Sequence, residues 1–169
     1  MKQSKLMATC GMTVALSVVI MLIGGILELG TFASPMVAGL LLMPVARQFG
    51  RKYQVCVWIA VSVLSFLLVP NVEADLMYLT LFGLYPVLYP DFQRLPGTLR
   101  WICKLVFFNV VVIAVETLVV MLLIPEVLTG WMIALLLILG NVCFLLYDLI
   151  LPRSEAVLQR WRTLLSRKK

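Results

Sequence analysis

The chain is 169 residues long, 63% hydrophobic and 13% charged, with a mean hydropathy of +1.07. A soluble domain runs at about 45–50% apolar and about 25% charged, so this chain has too few polar side chains to cover a water-facing surface of its size. That excludes a secreted disulfide scaffold, a nucleic-acid binder and a disordered tail, and it marks an integral membrane protein whose net charge of +6 belongs to its loops.

A helix crossing the roughly 30 Å hydrocarbon core needs about 20 mostly apolar residues. The first such run is Met7 to Leu29, uncharged until Glu28. Its length exceeds the 7–15 residues or so of a signal-peptide core, so it is read as a retained span. Ala8, Gly11 and Ala15 supply small residues, with Gly11 and Ala15 in small-xxx-small spacing that lets another helix approach closely, and Gly24 and Gly25 permit the same further along. The second run, Phe32 to Ala46, is short and carries Pro35 and Pro44. The third, Tyr53 to Val69, ends at Pro70. The fourth, Leu76 to Tyr89, is short again and contains Gly83 and Pro86; Pro86 and Pro90 are expected to break helix continuity. Such short runs rise only about 21–23 Å. They are either broken helices lining a solute site, or full spans that use extra turns at Thr31 and Asp75 or a thinned bilayer. The fifth run is Ile102 to Ile124, stopped by Pro125, and the sixth is Trp131 to Leu151, stopped by Pro152. The tail from Ser154 to Lys169 places Val157, Leu158, Trp161, Leu164 and Leu165 on one helix face among arginines, which predicts an amphipathic helix on an anionic inner leaflet.

Charge orients this layout. Lys2 and Lys5 precede the first run, Arg47, Arg51 and Lys52 follow the second, and Arg94 and Arg100 follow the fourth, with Lys104 just inside the fifth. The rest follow the sixth, so all 14 basic residues fall on one side of a six-span topology, while the connections at 30–34, 70–75 and 125–130 hold none. By the positive-inside rule that side is the cytoplasm. The expected fold is therefore all-α: a six-helix transmembrane bundle over 1–152, both termini cytoplasmic, with a basic interfacial tail over 153–169. The expected location is a plasma membrane, multi-pass and bacterial.

Ionisable and amide groups inside spans are costly and face protein or a water-filled cavity. Glu116 lies about one turn outside the middle of the fifth span, Asn109 two turns below it on the same face, and Asn141 at the centre of the sixth. These three are candidates for the floor of an outward-opening pocket; the alternative use is an interhelical hydrogen-bond clasp. Lys104 and Asp148, at similar depth near the inner ends of their spans, are expected to form a structural salt bridge, or Lys104 to snorkel to the interface. The outer face carries Glu28, Glu73, Asp75 and Glu126 beside Phe32, Tyr78 and Trp131, a negatively charged mouth that attracts cations. Cys10, Cys56, Cys103 and Cys143 form no CxxC pair and the chain has no histidine, so ordinary zinc, haem and cysteine–histidine chemistry lack their ligands. No metal site and no cofactor are expected.

Six spans in a chain this short, both ends inside, and an opening helix running Ala8-Thr-Cys-Gly11-Met-Thr-Val-Ala15 resemble the substrate-binding S component of an energy-coupling factor (ECF) transporter. In that family an Ala-x-x-x-Ala motif on the first helix docks on the transmembrane coupling subunit. Here Gly11-x-x-x-Ala15 is the nearest match, and Met12 stands where the register from Ala8 would have alanine. The resemblance implies capture of a vitamin-like molecule or metal ion from outside, with Tyr78, Glu116, Asn141 and Trp131 near the solute. It also implies docking through Ala8, Gly11 and Ala15, and partnership with a coupling subunit and cytoplasmic ATPases. The chain itself has no Walker A sequence. The competing expectation is a non-catalytic assembly protein, such as the small six-span subunit of bacterial rod-shape complexes. An enzyme is not expected, since GxSxG and a close carboxylate pair are missing along with histidine.

Overall fold

In the computed structural model the described residues, 2–27, 32–122 and 137–153, are almost entirely helical and form no strand. Glu28, Thr31, Glu126, Trp131 and the tail at 154–169 lie outside the described residues, and so do the expectations attached to them.

Helix α1 is Lys2–Ile26, a run of good helix formers without an internal proline. Next come α2, Ala33–Leu40, and α3, Leu42–Phe49, separated by the single residue Leu41. The break has a local cause. Pro44 has no N–H to offer the Leu40 carbonyl and its ring crowds that oxygen, and the chain tightens just before it, with Leu41 N–H bonded to Ala38 O at 3.2 Å. Gly50 ends α3 with φ +97°, a left-handed conformation that favours glycine. Helix α4 then runs Arg51–Leu68 and stops at Val69, held extended (φ −90°, ψ 129°) as the residue before Pro70.

Asn71 starts α5, Val72–Met77, its side-chain oxygen accepting the Ala74 N–H at 3.0 Å. The chain continues through a π-helical turn, Tyr78–Phe82, closed by Gly83 N–H on Tyr78 O at 2.8 Å, into α6, Leu84–Gln93. Pro90 lies inside α6 and does not end it as expected, whereas the α-helix is interrupted at Gly83, three residues before Pro86, as it is at Leu41, three residues before Pro44. Pro86 sits in the first turn of α6, where its missing N–H matters least. The Phe82 carbonyl it would have served accepts the buried Tyr147 hydroxyl instead, at 2.9 Å. Helix α7 is Gly97–Leu122, and α8 covers 137–153. Helical structure thus extends beyond both short apolar runs, to 33–49 and 72–93, interrupted by Leu41 in the first and by the π turn in the second.

Among the described residues three helices are long and apolar enough to cross a membrane: Gln3–Ile26, Arg51–Leu68 and Gly97–Met121. Much of their apolar surface points away from the protein, with Met12 76%, Leu67 74% and Met121 80% exposed. Contiguous apolar surface on this scale suits lipid rather than water. Two cores lie behind it. Val18, Met21, Ala38, Val45, Val57 and Val61 join α1 to α2, α3 and α4. Met77, Phe82, Tyr85, Phe108, Phe144 and Tyr147 join the α5–α6 segment to α7 and α8. Glycines allow the close crossings: a Cβ at Gly24 would sit 2.3 Å from the Ser34 side chain, and one at Gly39 would sit 2.2 Å from the Phe82 carbonyl oxygen.

Candidate functional site

The polar groups inside the protein divide into those that satisfy one another and those left without a partner. Lys104 on α7 and Asp148 on α8 belong to the first kind. The ammonium donates to both carboxylate oxygens, at 2.6 and 2.8 Å, with both side chains buried. The Tyr85 hydroxyl on α6 donates to the same carboxylate. The ammonium also lies 5.1–5.9 Å from the ring centroids of Tyr85, Tyr89 and Trp101, a distance at which cation–π attraction operates. The expected salt bridge is present and the ammonium turns inward, so Lys104 does not snorkel. Three helices meet at this one carboxylate.

Asn109 and Asn141 come together as well. Each amide donates to the other's carbonyl oxygen, at 3.1 and 3.0 Å, and each also donates to the backbone carbonyl four residues earlier, Leu105 O and Leu137 O, at 2.8 Å. Both N–H donors of each amide are thereby used, and the arrangement is an interhelical clasp between α7 and α8. Glu116 is not part of it: no bond among the described residues joins Glu116 or Tyr78 to either asparagine.

Buried polar atoms without a partner among the described residues belong to Gln54 and Trp58 on α4, Asp75 on α5, Tyr78 in the π-helical turn and Glu116 on α7. The Tyr78 hydroxyl, in a fully buried residue of the π-helical turn, has no hydrogen-bond partner among the described residues, and the same holds for Glu116 Oε1 and both oxygens of Asp75. In the first turn of α5, burial pushes the Glu73 carboxyl above its ordinary value. Asp75 differs from the expectation of an exposed acid at an open mouth: it is only 3% exposed. Alternation of apolar and polar residues around it gave no hint of that burial, because α4 and not its own helix covers it.

On α1, Ala8, Gly11 and Ala15 all lie on an exposed face, and a Cβ at Gly11 would meet nothing within 4 Å. Nothing in the described part of the chain packs on this strip. Beside it, a groove of about 830 Å³ is lined by Ala8, Lys5, Thr9, Arg47, Gln48 and Tyr53. The fifth expected solute residue, Trp131, lies outside the described residues. Tyr85 and Asp75 are the two residues that reading the sequence undervalued. A tyrosine immediately before a proline in an apolar run, and an aspartate in an apolar helix start, were the signals present.

No protein-family model, curated protein or solved structure matches the chain.

Proposed function

We infer that the chain is the solute-binding membrane subunit of an ECF-type importer, a six-span bundle with both termini in the cytoplasm of a bacterial plasma membrane. It captures a vitamin-like molecule or metal ion from outside and passes it to a coupling subunit powered by separate ATPases. The observation that carries this reading is the contrast between the two sets of polar groups. Asn109, Asn141, Lys104, Asp148 and Tyr85 satisfy one another. Asp75, Tyr78 and Glu116 have buried polar atoms with none of their own partners among the described residues. Leaving a buried polar group unpaired costs about 1–3 kcal/mol, more when it is charged, a cost that a bound solute removes.

Two contacts support the orientation. Arg51 and Asp91 pair at 2.6 Å, which brings the basic connection before α4 and the end of α6 to one end of the bundle. Gly25 on α1 lies against Val69 and Asn71, which gathers segments free of lysine and arginine at the other. The open Ala8–Gly11–Ala15 strip supplies a surface on which another helix can pack closely, and the Lys5 and Arg47 groove borders it.

Thermal unfolding of the purified protein against a panel of vitamins and metal ions tests capture. A ligand that binds only the folded state raises its stability, and Glu116→Gln shifts the affinity for that ligand. Gly11→Leu and Ala15→Leu leave stability unchanged and reduce co-purification with a coupling subunit. A protein that responds to nothing in the panel, and keeps its partners when Gly11 and Ala15 are enlarged, is instead an assembly protein. The two self-satisfied clasps favour that second reading, since a scaffold needs rigid helix pairs and no vacant polar groups.

A further inference from the structure

Asp75 carries an inference of its own. Pro70 and the Asn71 cap turn the chain so that α5 starts against the end of α4, and the Asp75 side chain enters the cleft between them. The cleft is a groove of about 330 Å³ lined by Asp75, Ser62, Phe66, Leu67, Leu76 and Leu79, a size within the range of about 300–1,000 Å³ common for small-molecule sites. Its walls are apolar and its outer rim is open, with Phe66 63% and Leu79 40% exposed. At its base both Asp75 oxygens are buried without a hydrogen-bond partner among the described residues.

The neighbouring hydroxyls do not change that balance. Ser62 Oγ–H donates to Trp58 O at 2.9 Å, and Ser65 Oγ–H, near enough to act on Asp75, donates to Ser62 O at 3.2 Å. Ser65 is the one hydroxyl that also acts on the Asp75 carboxylate, so the acid has a single neutral donor near it and no counter-charge among the residues lining the groove. The 70–75 connection has no lysine or arginine to neutralise it. A carboxylate buried in this way is costly without a counter-charge. An ammonium is the complementary group, with a compact positive charge, three donors and no acceptor. A divalent metal ion needs several oxygen ligands, and among the described residues no group of three or more acidic, cysteine or histidine side chains comes together.

The geometry points to a binding site for a small primary ammonium carrying an apolar body, its nitrogen on Asp75 and its body against Phe66 and Leu79. This names a substrate class and so rests on the solute-binding reading. The site opens to the side, through the α4–α5 groove, where the exposed apolar rim meets lipid.

The test uses the full chain in lipid nanodiscs and three probes of matched size: phenethylammonium, phenethyl alcohol and phenylacetate. A saturable rise in Tm is expected with the ammonium alone. Asp75→Asn weakens its apparent affinity at least tenfold, and Leu79→Trp, which fills the groove and leaves the carboxylate in place, does the same and serves where Asp75→Asn fails to fold. An equal response to the alcohol, no response to the ammonium, or binding unchanged in both variants overturns the site. Stabilisation by a solute from the wider panel without any response to phenethylammonium removes the ammonium site and leaves the importer reading intact. Phenethylammonium binding that depends on Asp75, in a protein that associates with no coupling subunit, keeps the site and removes the importer.

Discussion

Replacing Lys104 by methionine keeps the length of the side chain and removes its charge, leaving the Asp148 carboxylate buried with the Tyr85 hydroxyl as its remaining donor. Removing one member of a buried ion pair costs about 3–5 kcal/mol, because the other charge is stranded. A second route sets a ceiling: protonating an ordinary aspartate at pH 7 costs about 4 kcal/mol, roughly three pH units at about 1.4 kcal/mol each. A stranded carboxylate that costs more than this simply takes up a proton. Loss of the three ring contacts adds to the penalty, by about 0.5–2 kcal/mol for a desolvated cation. The expected loss for Lys104→Met is therefore about 3.5–6 kcal/mol. Asp148→Leu strands the ammonium and costs a similar amount, whereas the double variant strands nothing and recovers most of either loss. Unfolding in mixed micelles with increasing denaturing detergent, run on the four proteins as a double-mutant cycle, measures the coupling directly. Single variants within about 1 kcal/mol of the parent, or a double variant whose loss is the sum of the two, would refute the view that this pair is held together by mutual neutralisation.

Asn141→Ala breaks both bonds to Asn109 and is expected to cost about 0.6–2 kcal/mol, with Asn109→Ala no worse when added to it; the same unfolding assay reads both. Tyr147→Phe leaves the Phe82 carbonyl, already without the N–H that Pro86 lacks, with no donor in place of the 2.9 Å bond. A loss of about 1–3 kcal/mol follows for this buried acceptor. Gly39→Ala forces a methyl to within 2.2 Å of the Phe82 oxygen and 2.6 Å of the Tyr147 hydroxyl. It is expected to lower the Tm more than Gly11→Ala, whose added methyl meets nothing; equal shifts would show that α2 moves aside without strain.

Hydropathy, helix-forming composition and the positions of proline are local properties, and by themselves they determined that the chain is helical and apolar enough to enter a membrane, which three helices among the described residues are long enough to cross. They also marked Lys104 and Asp148 as partners, since two opposite charges at matching depth in adjoining apolar runs have few other places to go. The tertiary structure alone decided the rest. Asn109 and Asn141 share a depth in the sequence, but only the facing of α7 and α8 turns them into a reciprocal pair that uses up their own donors. Pro86 leaves the Phe82 carbonyl without its N–H, and only the fold brings Tyr147, 61 positions along the chain, to supply a donor. Asp75 reads as a solvated acid because its neighbours in sequence give no sign of burial. It is the packing of α4 across α5 that takes it out of solvent. Burial and pairing depend on which helices cross and at what rotation, and such long-range contacts leave no periodic trace in a single strand of residues.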